Sequence, residues 1–505
     1  MLSDATVLIA VVAAPMLVGL TAFGLRGRGA DLLGRLGVLA SGAGFVTAVG
    51  LAAGILGGRG VTALDGWPIS LAADELSVAL LLLVFGISTV VQAFGSRYLA
   101  GDSRRYWFTA GAGMLTAASA ALALAATLVT LALAWTLAGV ALCLLLATYW
   151  QLPPAREGVR RTVVAFLIGD AALWAAVGVI TARAGNVTLD GLAVQELGGP
   201  QAAVVAVLVV CAALSRSAQI PFHRWLPATL AAPTPVSALL HAGVVNAGGI
   251  LLIRLSPLST VGVAVVVTLI AGAATMAYAS VISLVKPDVK GALAYSTMAQ
   301  MGFMTFTVGL GLWAAAVVHL VAHGCYKATL FLGSGSAVAY RRRAASVPTA
   351  PQQSGHTRAT NLAAAVLLPL TALSAGALVV PGVTEHGSGM ALLLFAWVTG
   401  AAATWGWLTR RAHTFALLSA ALVALPTAIA YLAVVSSLTD YLAPALPAET
   451  LSARAVTTIV AAAVLMLAGF SVLRWSKTRP GLHRALYAHA LVAGYPNPPM
   501  RGVRP

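Results

Sequence analysis

Apolar runs recur along almost the whole chain. Each is long enough to form a helix that crosses a bilayer, which takes about 20 mostly apolar residues. Candidate spans fall near 5–25, 32–56, 76–94, 107–124, 126–149, 161–182, 201–219, 235–255, 259–285, 289–310, 312–340, 359–380, 388–409, 412–434 and 455–473, so the pattern predicts an all-α polytopic membrane protein of about fifteen transmembrane helices. Proline interrupts one of them. Pro221, Pro227, Pro233 and Pro235 each remove a backbone donor, so the helix that starts near 201 must stop and restart. Broken backbone at membrane depth is tolerated where it lines a cavity; an interfacial re-entrant loop with no transport role is the alternative. The opening segment, MLSDATVLIAVVAAPMLVGL, has neither a basic leader nor a convincing cleavage site and reads as a retained first helix.

Composition agrees with the pattern. The 505 residues are 60% hydrophobic and 9% charged, whereas soluble domains are about half apolar and a quarter charged. With no polar block long enough to fold by itself, a single membrane domain over 1–505 is expected. The net charge of +16 changes the picture only through its placement. One set of alternate loops carries Arg26, Arg28 and Arg35; Arg97, Arg104 and Arg105; Arg156, Arg160 and Arg161; Arg224; Lys286 and Lys290; Arg341, Arg342, Arg343 and Arg358; Arg410 and Arg411; and the basic C-terminal tail. The other set holds only Arg59, Arg183, Arg254 and Arg454. Such asymmetry marks cytoplasmic loops facing an anionic lipid leaflet. The loop 341–358 and the tail 474–505 are therefore expected in the cytoplasm, and an odd number of spans puts the N-terminus outside. No basic stretch is interleaved with aromatics, which argues against nucleic acid as a partner. Cys143, Cys211 and Cys325 lie in apolar spans without metal or redox spacing. No cofactor, metal or catalytic motif is evident, so none is expected.

Ionisable groups inside apolar spans are costly and usually mark an ion path. The sharpest set is His319, His323 and Lys327 in VVHLVAHGCYKATLFLGSG. Positions i, i+4 and i+8 drift by only about 40° per step, which places all three on one helix face over roughly 12 Å. Imidazoles accept and donate protons, and a desolvated lysine can titrate near neutral pH, so the set suits a proton relay; a polar seam that merely holds helices together is the alternative. Around the proline-rich break, Arg216 precedes the gap and His241 and Asn246 follow it. Asp170 is the one acidic residue in the middle of an apolar span. A lone buried carboxylate protonates or finds a cation, and Arg216 is the obvious partner, in an ion pair that could be purely structural. In KPDVKGALAYSTMAQMGFM, Lys286 reads as a surface anchor, while Lys290, one turn deeper, either feeds a pathway or anchors as well.

Three strings, KPDVKGALAYSTMAQMGF, HLVAHGCYKATLFLGSGS and SAQIPFHRWLPATLAAPTPVSALLHA, resemble the proton-conducting membrane transporter family, which includes the antiporter-like subunits of respiratory complex I and the large subunit of Mrp sodium/proton antiporters. The resemblance covers roughly 65–340 and agrees in order and spacing. It implies an antiporter-like fold with discontinuous helices and a central polar axis, onto which Asp170, Arg216, His241, His319, His323 and Lys327 fall. The chain departs from complex I relatives in places. Where they carry Trp-Glu and a lysine that pairs with that glutamate, this chain has Trp135-Thr136 and Arg216, and arginine is effectively never deprotonated. No lysine lies between Lys327 and Lys477, so their exit lysine has no counterpart.

HAGVVNAGG (241–249) and the tail string RALYAHALVAGY look like the DabB branch of inorganic carbon pumps. That likeness implies a cytoplasmic DabA-like zinc partner, similar to a β-carbonic anhydrase, in which ion flow drives hydration of CO2 to bicarbonate. The chain is thus expected to conduct protons or sodium and to perform no chemistry itself. An antiporter-like subunit of complex I, of a membrane hydrogenase or of an Mrp antiporter is one alternative, and a non-conducting scaffold, suggested by Thr136 and Arg216, is another.

Overall fold

The computed structural model describes residues 4–335 apart from short gaps at 60–61, 65, 67–68, 186, 193–197 and 287, then 355–381, 387–409, 413–448 and scattered positions between 454 and 488. The loop of Arg341, Arg342 and Arg343, the span expected over 455–473 and the tail 474–505 lie mostly or wholly outside the described residues.

Helices dominate. In chain order they are α1 (Asp4–Leu25), α2 (Ala30–Leu56), α3 (Glu75–Tyr98), α4 (Arg105–Leu124), α5 (Leu128–Leu146), α6 (Pro153–Ala184), α7 (Gly199–Arg216), α8 (Thr234–Ala242), α9 (Ala247–Arg254), the single turn α10 (Ser256–Ser259), α11 (Gly262–Val285), α12 (Val289–Gly309), α13 (Trp313–Leu332), α14 (Gly355–Val379), α15 (Gly387–Leu408) and α16 (His413–Leu442). Among the described residues, thirteen spans are long and apolar enough to cross a membrane, with α8 and α9 counted as one. α12 has the length but is not apolar enough to be counted with them. Fourteen of the fifteen expected spans therefore have a helix, and the protein is an all-α, multi-pass membrane protein. The apolar pattern did not anticipate a short antiparallel hairpin, β1 (Thr62–Leu64) with β2 (Leu71–Ala73), in register Leu64 to Leu71.

Local chemistry sets the helix ends. Asp74 caps α3 by accepting from the Ser77 amide at 2.6 Å, and Thr127 caps α5 by accepting from the Thr130 amide at 3.3 Å. Prolines occupy the first turn of α6, α7 and α8, where no backbone donor is required.

The described chain forms two compact units. The first holds α1–α12 and α13 from His319 onward; the second holds Leu310–Val318 and α14–α16. In the first, α1 lies on α4, α2 on α3, α6 on α7 and α11 on α12. The broken span Thr234–Arg254 sits at its centre, 89% buried, whereas Ala30–Leu56 is only 17% buried and turns most of its surface outward, as a lipid-facing helix does. In the second unit α14 packs against α15 and α16 around Ala372, Leu373, Ala428 and Leu432.

Candidate functional site

Two breaks position the polar groups of the first unit. The expected one follows Arg216: the chain runs through a turn and a 3-10 segment, His223–Thr229, before α8 begins. Side chains take over the backbone groups that this break releases. Trp225 Nε1 donates to Ser215 O at 3.0 Å, and the Ile220 amide donates to Thr275 Oγ1 at 3.0 Å. The second break was not anticipated. The span expected as one helix over 235–255 is divided by a 3-10 turn, Val244–Asn246, between α8 and α9. A continuous helix would donate to the His241 and Ala242 carbonyls from its next turn. Here His323 Nε2 lies 3.2 Å from His241 O, and Asn246 Nδ2 donates to Ala242 O at 2.8 Å.

α13 presents its three ionisable groups to this break and to α12, as the four-residue spacing requires. His319, His323 and Lys327 are buried, Lys327 completely. The two imidazoles are 5.8 Å apart, centre to centre. His323 Nδ1 lies 2.8 Å from Gln300 Oε1 on α12, so both ring nitrogens face oxygen atoms. An imidazolium satisfies both; a neutral ring donates to one and accepts from the Gln300 amide turned over. Either state finds hydrogen-bond partners here. Lys327 Nζ donates to Ser296 Oγ at 2.8 Å. His241, also buried, stacks on Phe331 at 4.3 Å. Close approach makes these contacts possible: a Cβ on Gly324, next to His323, would stand 3.0 Å from Ala242 O and 3.0 Å from Leu83 Cδ1.

The second group is built around Arg216, which is 1% exposed. Its Nη2 donates to Asp170 Oδ1 at 2.8 Å and its Nη1 to Trp135 O at 3.2 Å. The guanidinium lies between two rings, 4.4 Å from Trp135 and 4.1 Å from Phe166. Trp135 Nε1 also donates to Asp170 Oδ1, at 2.8 Å. α6 thus supplies the carboxylate to Arg216, while Thr136 on α5 accepts from Trp174 Nε1 at 3.1 Å and takes no part in the pair. An arginine held by a carboxylate, a carbonyl and two π faces is a fixed positive charge.

The structure therefore joins Asp170 to Arg216, and His323 to His241, with Lys327, His319 and Asn246 alongside. Lys290 stands apart and donates to Ala232 O at 2.9 Å, at the loop that precedes α8. Sequence reasoning missed Ser296, Gln300, Trp135 and Phe166 as partners of these groups; Ser296 and Gln300 lie in a string that carries the family resemblance.

Residues 125–416, more than half the chain, match the family described as NADH:quinone oxidoreductase/Mrp antiporter, transmembrane. The chain is 34% identical over 354 residues to a protein named probable inorganic carbon transporter subunit DabB1 from Halothiobacillus neapolitanus, an alignment that covers 66% of this chain and 63% of that one. It is 38% identical over 280 residues to probable inorganic carbon transporter subunit DabB from Bacillus subtilis, covering 52% of this chain and 53% of the relative. The chain thus spans about half to three fifths of the length of these relatives. A chain in the structure of the Mrp complex from Dietzia sp. DQ12-45-1b superimposes with a TM-score of 0.64 at 25% identity, covering 96% of this chain and 59% of that one. On the extent of the first of these matches, the chain belongs to the NADH:quinone oxidoreductase/Mrp antiporter transmembrane family.

Proposed function

We propose that the chain is the proton-conducting membrane subunit of an energy-coupled inorganic carbon pump, working with a cytoplasmic DabA-like zinc protein that interconverts CO2 and bicarbonate. One observation carries conduction: Lys327, His323 and His319 form a buried file on one helix face, with Ser296 and Gln300 of α12 within hydrogen-bond distance of Lys327 and His323. Ionisable groups kept at this depth are costly and usually mark an ion path. Lys327 holds and releases a proton beside Ser296, and His323 passes it between Gln300 and the His241 carbonyl. Arg216, held by Asp170, sets the local potential as a fixed positive charge. Lys290 collects protons at the α8 end of the path, and Asn246 holds the helix break open. The carbon substrate is supported by the likeness to the DabB proteins over two thirds or less of the chain. The chemistry on the carbon substrate is assigned to the soluble partner.

The test is bicarbonate accumulation by cells that carry the complex, together with proton uptake into liposomes that contain it. Lys327→Ala is expected to abolish both while the complex still assembles; unchanged accumulation overturns the proposal. Cation/proton exchange is the second reading, favoured by the fold shared with the Mrp chain. Flux that follows sodium rather than protons would decide for it.

A further inference from the structure

A cavity of about 70 Å³ lies among α3, α4, α5 and the α8–α9 break. Leucine, isoleucine and alanine form most of its wall, yet Arg216 and Asn246 line it too, with Ser88, Thr116 and Ser119. Asn246 is 1% exposed, and its Oδ1 has no hydrogen-bond partner among the described residues; the same holds for Arg216 Nε. A buried amide oxygen and a guanidinium N–H left bare are each costly. A water needs roughly 10–15 Å³ and two to four polar partners, so this cavity has room for several waters and supplies an acceptor, a charged donor and three hydroxyls.

A column of neutral polar side chains leads away from it. Ser88 and Thr116 share a hydrogen bond of 2.6 Å, Ser88 and Ser41 one of 3.2 Å, and Gln92 Nε2 donates to Ser41 Oγ and Ser88 Oγ, each at 2.8 Å. All four residues are buried. Thr109, whose hydroxyl bonds back to Arg105 O at 3.3 Å, lies beside the column toward the membrane face where Arg105 pairs with the exposed Asp31. α2 contributes Gly37 to the seam, where a Cβ would collide with the Gln92 amide. Serines and threonines in spans commonly bond back to their own helix, and Thr116 does so at Ala112 O, 2.7 Å away; it also meets Ser88, so that three helices pool their polar groups at one depth and the pool opens on the cavity. All of these residues precede position 125, where the family match begins.

We propose that this cavity holds a cluster of water molecules in contact with Arg216 Nε and Asn246 Oδ1, supplied through the Gln92–Ser41–Ser88–Thr116 column from the face that carries Arg105. The inference deepens the conduction reading and rests on it for its purpose, but not for its test. X-ray-generated hydroxyl radicals oxidise side chains that adjoin bound water, whether or not the protein conducts. In the intact complex Leu122 and Ile250, on the cavity wall, are expected to be oxidised, while Leu131 and Leu142, buried away from it, are not. In Ser88→Ala/Thr116→Val the oxidation of Leu122 and Ile250 is expected to be lost. Where that double variant does not assemble, Thr116→Val alone, which keeps the side-chain volume, gives the same readout. No oxidation of Leu122 and Ile250 in the unaltered complex means a dry or lipid-filled cavity and overturns the proposal. Oxidation that persists in the variant means that water arrives by another route and overturns the column. Proton uptake measured alongside, with Lys327→Ala as reference, separates either failure from a failure of conduction.

Discussion

Arg216 illustrates how a single residue is held at membrane depth. Removing one partner of a buried pair costs about 3–5 kcal/mol, whereas exchanging the whole pair for apolar groups is often neutral. Asp170→Asn is therefore expected to destabilise the complex by about that amount, and Asp170→Leu/Arg216→Met to recover most of it, both read as midpoints of thermal unfolding in detergent. Arg216→Lys is expected to fall between them, since an ammonium keeps the charge but loses the planar contact with Trp135 and Phe166. The Asp170–Arg216 pairing was legible in the sequence because a lone acidic residue in an apolar span must find a cation. The α13 file was legible from spacing alone. Ser296 and Gln300 were not, because neutral polar residues occur in many spans and carry no charge that demands a partner.

At the scale of elements, the depth at which α13 meets α8 depends on Gly324. Gly324→Val is expected to push α13 from the Ala242 carbonyl, cost about 1–3 kcal/mol and reduce proton uptake by separating His323 from His241 O. Retained uptake with an intact complex would show that this contact is not on the path. Another junction is the clasp between the start of α3 and the end of α9, where Arg254 binds both oxygens of Asp74 as well as Ser77 Oγ at 2.7 Å. Burial raises the Asp74 carboxyl pKa, but the Arg254 guanidinium and the Ser77 donors outweigh it and hold the group below its usual 3.8. A carboxylate lowered in the folded state stabilises above its unfolded value and loses that contribution as pH falls through the folded one. The complex is thus expected to weaken as pH drops below about 3.8, and Asp74→Asn to be less stable at neutral pH with a flatter acid limb, measured by unfolding across pH. The broken α7 was readable from its four prolines. The α8–α9 break was not, since its signal is little more than Gly243 and a polar Asn246 in an otherwise apolar run.

For the molecule as a whole, the loop charges give an orientation that can be checked directly. Reporter fusions at the C-terminus and after Arg105 are expected to report the cytoplasm, and a fusion after Arg183 the opposite side; any reversal would mean a miscounted span. The α12 helix bears on how such a protein is made. Lys290, Ser296 and Gln300, which face Ala232 O, Lys327 and His323, dilute its apolarity below that of the other spans. A nascent segment partitions from the translocon into lipid according to its summed apolarity. α12 partitions poorly by itself, whereas α11, which it contacts closely, inserts readily. The two would therefore leave the translocon as a hairpin, with the polar groups of α12 still without their α13 partners until that helix follows. A ribosome-bound chain that ends before α13 thus exposes an unshielded polar stripe to lipid or to a chaperone, which makes this stage of biogenesis the vulnerable one.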